Sequence, residues 1–573
     1  MIRTKRIKHN LFFFIKSNLE IIQMKAVVDI ETDSLNAKEI HCIVAKKYDT
    51  GETRQWVQGE CGEFREWSKR IDTFIMHNGI SFDAPVLNRL TGSDIRLDQI
   101  RDTLIESQLY NPVRDGGHSL ESWGKRLGSE KIEYNDFNHF SPEMLEYCKQ
   151  DVNVTQKLGM ALEEEGKDFS DRSYNLERQV RSIVDRQQEN GFAFDIMKAM
   201  ILEANLSDEL YKLEEKAHDM FPPKVEKRVS EKTGKPLKDK VTEFNIASRI
   251  HIAERLEEMG VKFTERTETG RAVINESVLD KIDLPEAQMF SRYFLLQKRT
   301  GLLKSWIQEC SDQDRVHGRV LTLKTITGRM AHHKPNMAQV PAVYSPYGKE
   351  CRELWTISNP DTHQLVGTDA SGLELRCLAH YMGDEKFTNE VLTGDVHTAN
   401  QKAAGLQTRD QAKTFIYAFL YGAGPGKIGT VVGGSWTEGE ELIAKFLKNM
   451  PSLNRLRKTV TEAAKSGRIT GLDGRKLHIR HEHAALNTLL QGAGAIVCKQ
   501  WLVEMDRMIW EHGLDAKLVA SVHDEYQFEV AKPDTDSFTK ITREAMKATQ
   551  NILNFNCDLD CDYKVGNNWA ETH

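Results

Sequence analysis

The sequence lacks any apolar run long enough to cross a membrane, since no stretch approaches the ~18 apolar residues that a transmembrane helix needs. Residues 1–23 contain the short run LFFFI, but Lys16 interrupts it and no small-residue cleavage site follows, which argues against a signal peptide. We therefore expect no membrane partner and a cytoplasmic location. Residues 1–23 are expected to form a disordered extension ahead of Met24.

The chain also lacks paired cysteines and an excess of positive charge. Its nine cysteines are scattered, and Cys557 and Cys561 form the only closely spaced pair, so neither a disulfide framework nor a zinc site is predicted. The 78 basic and 85 acidic residues give a net charge of −7. That balance does not indicate nucleic-acid binding, although a basic cleft can lie within an acidic protein.

The chain is long enough for several domains, and its first part alternates strand and helix patterns. At 573 residues, three or four domains are expected. The segments 25–32, 40–48 and 73–79 have the pattern of buried strands, and 141–158 that of a helix capped by Ser141. This alternation predicts an α/β fold in a multidomain protein.

Acidic residues cluster within this α/β segment, and a tyrosine accompanies them. Asp29 and Glu31 are two apart on a strand and share one face, while Tyr147 and Asp151 are four apart on a helix. With Asp83, these carboxylates would repel one another unless divalent cations lay among them. Two cations about 4 Å apart, bound by oxygen ligands, activate a water and stabilise the leaving oxygen of a phosphodiester.

The order of these motifs, rather than any one of them, is specific. Each short motif occurs by chance, but all three in order within one α/β segment resemble the DEDD-type 3′–5′ exonucleases with tyrosine in the third motif. The resemblance implies a ribonuclease H-like exonuclease domain over residues 24–165. It also implies two Mg²⁺ ions held by the four carboxylates, with Tyr147 orienting the attacking water.

A predicted helix at 409–422, RDQAKTFIYAFLYG, carries two cations and an aromatic residue on one face. Arg409, Lys413 and Tyr417 follow one another at intervals of four, and Tyr421 lies slightly round the helix. Two cations on one face suit a triphosphate, and an aromatic ring can stack on a base. Taken alone, the pattern is also that of a solvated basic helix with aromatic core contacts.

Two acidic motifs flank this helix and complete a second resemblance. They are D-x-S-x2-E-L-R at 369–376, after a predicted strand, and the predicted turn VHDE at 522–525. With them, the helix matches every position of the R-x3-K-x3-[YF]-x3-Y-G motif of family A DNA polymerases, and LTLKTITGRMAHHKPNMAQVP at 321–341 is similar to their palm. The resemblance implies a right-hand fold behind the exonuclease domain, with thumb and palm entry at 166–320, palm at 321–395, fingers at 396–480 and palm again at 481–573.

The resemblance to family A also implies roles for individual residues. Asp369 and Asp524 would hold two further Mg²⁺ ions, and Arg409 and Lys413 would bind the triphosphate, with Lys413 protonating the leaving group. The other residues implied to bind the nucleotide are Ser371, Glu374, His397, Tyr417 and Tyr421. Those implied to bind DNA are Arg329, Asn336, Gln339, His483, Asn487, Gln491 and His523. Of these, His483, Asn487 and Gln491 follow one another at intervals of four and are expected on one helical face.

Sugar selection separates the possible functions. Glu374 follows Asp369 by five residues and would lie beneath the incoming sugar, where we expect the Tyr417 hydroxyl to bond it and hold it against a 2′-hydroxyl. This disfavours a single-subunit RNA polymerase. The intact carboxylates disfavour a degenerate scaffold, and the lack of room for a 5′-nuclease domain favours a phage replicative enzyme over a repair-type polymerase.

The lysine-rich segment 222–240 bears on the partners. Its glycine and prolines predict a flexible surface segment, either a solvated loop or a thumb tip that contacts phosphates. A replicative phage enzyme of this family has a long basic thumb insertion that binds host thioredoxin, and this segment is too short for one. We therefore expect primer-template DNA, dNTPs, a phage helicase-primase and a single-strand-binding protein as partners, and not thioredoxin.

Overall fold

The structure, a computed structural model, describes residues 23–230 and 232–573. The predicted extension at 1–23 therefore lies, apart from its last residue, outside the described ranges. Within those ranges, none of the helices combines the length and the apolar character that crossing a membrane requires.

The first domain alternates strands and helices, which confirms the α/β prediction. Its elements are β1 (Lys25–Thr32), β2 (Ile40–Lys47), β3 (Thr53–Val57), α1 (Phe64–Ser68), β4 (Thr73–Met76), α2 (Asp83–Thr91), β5 (Ile100–Asp102), α3 (Thr103–Tyr110), α4 (Leu120–Arg126) and α5 (Pro142–Glu165). The sheet order is β3-β2-β1-β4-β5, with β1 antiparallel to β2 and parallel to β4. Ser141 caps α5 as predicted, because its Oγ accepts the Met144 N–H at 3.1 Å.

One helix, α6 (Asp171–Asn190), joins this domain to the rest of the chain. On the side of the first domain, the Ser81 hydroxyl donates to Asp185 Oδ2 at 2.8 Å. Five residues further on, at the last residue of the helix, Asn190 Nδ2 donates to the Leu518 carbonyl at 3.0 Å. The helix is therefore bonded to both parts of the molecule.

The region after α6 is helical, with a β-hairpin where the sequence predicts a flexible segment. Its elements are β6 (Phe192–Phe194), α7 (Ile196–Met220), β7 (Lys224–Val229), β8 (Pro236–Thr242), α8 (Arg249–Glu258), α9 (Glu276–Leu279) and α10 (Pro285–Glu309). Strands β7 and β8 pair antiparallel, with Val225 opposite Val241. The prediction of a flexible segment at 222–240 is therefore wrong for its backbone, since cross-strand hydrogen bonds order it.

A four-stranded antiparallel sheet lies at the centre of the C-terminal half. Its order is β16-β17-β13-β18, from strands β13 (His363–Ala370), β16 (Ala516–Val522), β17 (Glu525–Ala531) and β18 (Cys561–Gly566). The central strand β13 thus lies between two strands that come much later in the chain. This topology brings the motifs at 369–376 and 522–525 side by side.

The remaining elements of this half lie before, within and around that sheet. They are β9 (Arg315–Val316), β10 (Arg319–Leu321), β11 (Ala331–His333), α11 (Gly348–Glu353), β12 (Trp355–Thr356), α12 (Leu373–Met382), α13 (Glu385–Leu392), α14 (Val396–Ala404), α15 (Arg409–Leu420), α16 (Pro425–Val431), α17 (Trp436–Asn449), α18 (Pro451–Ala464), β14 (Arg468–Thr470), β15 (Lys476–His478), α19 (Ala485–His512) and α20 (Thr535–Leu553). A single apolar cluster runs from the sheet through α12, α15 and α19. Helix α15 is thereby packed on the same core as the strands that carry the two acidic motifs.

A buried ion network crosses from α6 to this half. The carboxylate of Glu177 accepts from Lys499 Nζ at 2.7 Å and pairs with an Arg475 guanidinium nitrogen at 2.7 Å, and Arg475 also pairs with Asp473. The Glu177, Lys499 and Arg475 side chains are buried. Burial lowers the pKa of Lys499 to about 8, although Glu177 opposes that shift.

Candidate active sites

Asp369 and Asp524 form the centre of the first candidate site. Asp369, the next-to-last residue of β13, lies opposite Glu525 on β17, and the Ala370 N–H donates to the Asp524 carbonyl at 3.1 Å. The pKa of Asp369 is raised to about 7, first by the protein packed around it and then by the charge of Asp524. Two carboxylates that repel one another in this way fit a divalent cation, which would relieve the repulsion.

Glu525, which follows Asp524, does not share in binding a cation, because its carboxylate is engaged in hydrogen bonds of its own. Its carboxylate accepts from Trp569 Nε1 at 2.6 Å and bonds His573 Nδ1 at 2.6 Å. Although burial opposes the charge, the His573 bond lowers the pKa of Glu525. Glu525 therefore anchors the chain segment around Trp569 and His573 beneath the acidic turn.

A cleft of about 570 Å³ opens in front of these carboxylates, and Glu374 lies on its wall. The Tyr421 hydroxyl donates to Glu374 Oε1 at 2.6 Å, and an Arg329 guanidinium nitrogen lies 3.3 Å from the same oxygen. The hydroxyl that holds Glu374 is thus that of Tyr421, not of Tyr417 as expected. Tyr421 is the C-cap residue of α15 and lies one helical turn beyond Tyr417.

Helix α15 reaches the cleft through Tyr417 and its C-cap residue Tyr421, whereas its two cations lie outside the cleft lining. Thr408 and Gln411 form a capping box at its start, and Gly422 ends it with φ +79°. Arg409 and Lys413 are exposed, while the helix buries its apolar face. Arg409 Nε donates to Asp395 Oδ2 at 2.7 Å, which holds the pKa of Asp395 well below its usual range.

His397 on α14 faces the same surface of α15. Its ring centroid lies 6.0 Å from that of Tyr417, and its Nδ1 is buried with no hydrogen-bond partner among the described residues. Burial lowers the pKa of His397, and the charges of Arg409 and Lys413 lower it further. Two cations and an imidazole nitrogen without a partner make this surface suitable for a polyphosphate.

Of the residues predicted to bind DNA, Arg329 and His523 line the cleft, and the others lie in different settings. Asn336 caps a short 3₁₀ turn through the Ala338 N–H at 3.2 Å, while Gln339 is exposed. His523 is exposed in the acidic turn with φ +58°. Asn487 and Gln491 are half-buried among buried neighbours on α19.

One detail of that prediction is wrong. His483 was expected on the same helical face as Asn487, but it lies in a 3₁₀ turn at Glu482–Ala484 that precedes α19. Its ring stacks on that of His481 with centroids 5.3 Å apart. Helix ends often tighten into such turns, which spacing alone does not reveal.

The second candidate site brings together the four carboxylates of the first domain. Asp29 and Glu31 lie on β1, Asp83 begins α2 and Asp151 lies on α5. Burial, followed by the charges of neighbouring groups, raises the pKa of Glu31 to about 9 and that of Asp83 to about 7, and holds that of Asp29 well above its usual range. Asp151 Oδ1 is buried without a hydrogen-bond partner among the described residues. An unpaired oxygen within crowded carboxylates fits a divalent cation.

Three further residues of these sites are absent from the sequence predictions. Lys131 Nζ lies 2.5 Å from Asp151 Oδ2, and Cys148 Sγ lies 3.5 Å from Asp29 Oδ2. On the four-stranded sheet, Asp562 lies opposite Asp369 and accepts from Ser371 Oγ at 2.8 Å. Only Cys148, next to Tyr147, lies within a sequence motif that could have indicated it.

Comparisons with known proteins identify relatives along almost the whole chain. The family model described as DNA polymerase family A matches residues 207–571. The DNA-directed DNA polymerase of Enterobacteria phage T3 is 33% identical over 710 aligned positions, which include 96% of this chain and 100% of that protein. The corresponding enzyme of Escherichia phage T7 is also 33% identical, over 706 positions with the same coverage.

A solved structure shares the fold. The POL domain of Pol1 from M. smegmatis, in complex with DNA primer-template and dNTP, superposes with a TM-score of 0.78 and covers 98% of each chain at 17% identity. The alignments to the phage proteins are longer than the 573 residues of this chain, so those relatives contain segments without a counterpart here.

Proposed function

This chain belongs to DNA polymerase family A and is a DNA-directed DNA polymerase, and from that premise we propose that it is a replicative phage-type enzyme that also proofreads with a 3′–5′ exonuclease. The observation that carries the proposal is the presence of two separate carboxylate centres, one on each main sheet. The full-length similarity to phage polymerases supports it. Residues 24–165 would form the exonuclease domain, and 166–573 the thumb, palm and fingers within the predicted boundaries.

In the palm, Asp369 and Asp524 would hold two Mg²⁺ ions. When bound, such ions lower the pKa of the primer 3′-hydroxyl and neutralise the triphosphate. The 3′ oxygen forms a bond to the α-phosphorus while the bond to the pyrophosphate oxygen breaks. The hydroxyl proton passes to solvent, and Lys413 donates a proton to the leaving pyrophosphate. Arg409, released from Asp395, binds the triphosphate.

The cleft wall would select the nucleotide. Tyr421 holds the Glu374 carboxylate at 2.6 Å, in the place where a ribose 2′-hydroxyl would collide with it. Tyr417 would pack beside the incoming base and sugar, and His397 and Ser371 would complete the nucleotide site. The same contact disfavours the second candidate, a single-subunit RNA polymerase, because that enzyme must admit the 2′-hydroxyl.

The duplex would be held by the residues around the cleft. Arg329 and Gln339, with Asn336, would reach minor-groove acceptors that every correct base pair presents. Asn487, Gln491 and the histidines His483 and His523 would contact the template and primer. These contacts test pair shape and read no sequence, as a replicative enzyme requires.

In the first domain, Asp29, Glu31, Asp83 and Asp151 would hold two Mg²⁺ ions, which activate a water when bound. The water oxygen forms a bond to the terminal phosphorus, and the bond from that phosphorus to the 3′ oxygen of the preceding nucleotide breaks. The water gives up its proton and the 3′ oxygen takes one, which leaves a shortened strand and a nucleoside monophosphate. Tyr147 would orient the water.

The partners follow from this role. Primer-template DNA and dNTPs are the substrates, and a phage helicase-primase and a single-strand-binding protein would act with the enzyme in the bacterial host cytoplasm. The hairpin at 224–242 supports the proposal that thioredoxin is not a partner, because a two-stranded hairpin offers less surface than the long insertion that binds it.

Separating the two centres by mutation tests the proposal. Asp29→Ala with Glu31→Ala should abolish removal of a labelled 3′-terminal nucleotide while primer extension continues, and Asp524→Ala should have the opposite effect. Extension with dNTPs and with rNTPs, with and without Mg²⁺, is measured on the same primer-template. Loss of both activities in either variant would show that the two-centre assignment is wrong.

A further inference from the structure

A lysine lies inside the carboxylate centre of the first domain, on the loop between α4 and α5. Its ammonium is 2.5 Å from Asp151 Oδ2 and 4.6 Å from the centroid of the Tyr147 ring, over which it lies. The Lys131 side chain is only 20% exposed. Burial opposes its charge, yet the Asp151 carboxylate keeps the pKa of Lys131 above its ordinary value. Lys131 is therefore a cation fixed within the centre.

The position of Lys131 conflicts with the binding of a metal ion. Its charge lowers the pKa of Asp29 and of Glu31, against the larger effect of burial, so it acts on carboxylates beyond its own partner. It occupies Asp151 Oδ2, whereas Oδ1 of the same carboxylate has no partner among the described residues. Two divalent ions among these oxygens would bring strong like-charge repulsion to the ammonium. Metal binding must therefore move Lys131 away from Asp151.

An open groove of about 660 Å³ gives the displaced side chain a destination. Lys131, Tyr134 and Tyr147 line it together with Lys125 and the acidic residues Glu121, Glu130 and Glu133. The two tyrosine rings lie 5.7 Å apart between centroids. Aromatic rings beside a cation suit single-stranded DNA, whose bases stack and whose phosphates pair with the cation. A strand end in this groove would place a phosphate within reach of the lysine.

We propose that Lys131 is the resident cation of this centre, displaced from Asp151 by a divalent ion and then bound to the phosphate of the 3′-terminal nucleotide. This inference rests on the proposed exonuclease function. Lys131 makes and breaks no covalent bond in this role. It protects the empty carboxylate cluster from its own repulsion and holds the phosphate once the ions have taken its place.

Metal binding without DNA tests the first half. Mn²⁺ binding is measured by electron paramagnetic resonance in protein that carries Asp369→Ala and Asp524→Ala, so that the palm centre does not contribute. Lys131→Met should lower the dissociation constant of Mn²⁺ by about tenfold or more, because the competing charge is gone. Lys131→Arg should leave it near the wild-type value, as should Lys157→Met, which removes an exposed lysine from the same domain. Unchanged or weaker Mn²⁺ binding in Lys131→Met would overturn the proposal.

Single-turnover hydrolysis of single-stranded DNA at saturating Mg²⁺ tests the second half. Lys131→Met should remove the terminal nucleotide about tenfold more slowly, with most of the rate restored in Lys131→Arg. A rate equal to wild type in Lys131→Met would refute this inference and leave the exonuclease standing. Absence of hydrolysis in the wild-type protein would instead refute the exonuclease, and with it the contact between Lys131 and the substrate.

Discussion

At the scale of single residues, the bond from Tyr421 to Glu374 has the most direct functional consequence. A carboxylate free to rotate could move away from a 2′-hydroxyl, whereas one held at 2.6 Å remains in its path. An oxygen that collides with it would also be left without adequate solvation. If Glu374 selects the sugar as proposed, this contact links Tyr421, the C-cap residue of α15, to that selection.

We expect Glu374→Ala to raise ribonucleotide incorporation relative to dNTP by at least about tenfold, since the obstructing carboxylate is gone. Tyr421→Phe should raise the same ratio by a smaller factor, because the carboxylate stays but is no longer held. Competition assays in an Asp29→Ala, Glu31→Ala background measure both ratios. Tyr563→Phe, at an exposed position on β18, is the control, and a Tyr421→Phe ratio no higher than that of the control would contradict this role.

The raised pKa of Asp83 makes the stability of the metal-free protein depend on pH. The folded-state value is about 7 and the ordinary value is 3.8, so the folded protein holds an extra proton between them and this stabilising contribution is lost as pH rises through that range. Relative to wild type, Asp83→Asn should gain melting temperature steadily from pH 4 to 7 and then level off. Thermal unfolding in a chelator measures this, with the exposed Asp49→Asn as control; a difference independent of pH would contradict it.

The residues that sequence reasoning finds and misses differ in how they reach their sites. Asp29 and Glu31, like Arg409 and Lys413, are brought together by the period of one strand or one helix, which the sequence shows directly. Lys131 reaches Asp151 from a loop without a periodic pattern. Its contact depends on how that loop packs, so no local signal could have predicted it.

At the scale of elements, the hairpin of β7 and β8 shows where local patterns fail. Its apolar side chains are exposed as its charged ones are, including Val225, Val229 and Val241. Because neither face of the hairpin is buried, its sequence shows no alternation of apolar and polar residues. The pairing of the two strands, which is not a property of either alone, orders the backbone. In contrast, β1 and β13 are predicted correctly because they are buried and their sequences show it.

Replacing the exposed lysines of this hairpin tests whether the hairpin is a solvated surface or a thumb tip that contacts DNA. Replacing Lys227, Lys235 and Lys238 by serine should weaken primer-template binding and reduce the salt dependence of log K by about 0.9 per lost phosphate contact. The matched control replaces Lys532, Lys540 and Lys547, three exposed lysines on or just before α20, by serine. Fluorescence anisotropy over a range of salt concentrations measures both sets, and equal slopes would assign the hairpin to solvent.

At the scale of the whole molecule, the ion network around Glu177 ties α6 to the palm and to the β14–β15 hairpin. Removing the one carboxylate would leave the buried ammonium of Lys499 and the guanidinium of Arg475 without their shared partner. Breaking a buried pair from one side costs about 3–5 kcal/mol, far more than an exposed pair contributes. The network thus makes the junction between the two halves sensitive to a single charge.

Glu177→Gln should therefore lower the free energy of unfolding by about 3 kcal/mol or more, since amide nitrogen and oxygen cannot balance both cations. Glu189→Gln, an exposed change on the same helix, should have little effect. Urea unfolding of both variants measures the difference. Equal free energies of unfolding in the two variants would show that the network does not stabilise the folded protein.

Helix α6 also has a consequence for how an error would be handled, if the first domain proofreads as proposed. Its 20 residues span about 30 Å. Near its start the Tyr174 hydroxyl accepts the Asp102 N–H of the first domain at 2.6 Å, and at its end Asn190 bonds Leu518. Because the helix is bonded near both ends, we expect the two carboxylate centres to keep a constant separation, which a mismatched primer end would cross by unpairing from the template. Primer ends rich in A and T, whose pairs open more easily, would then be edited more often than those rich in G and C.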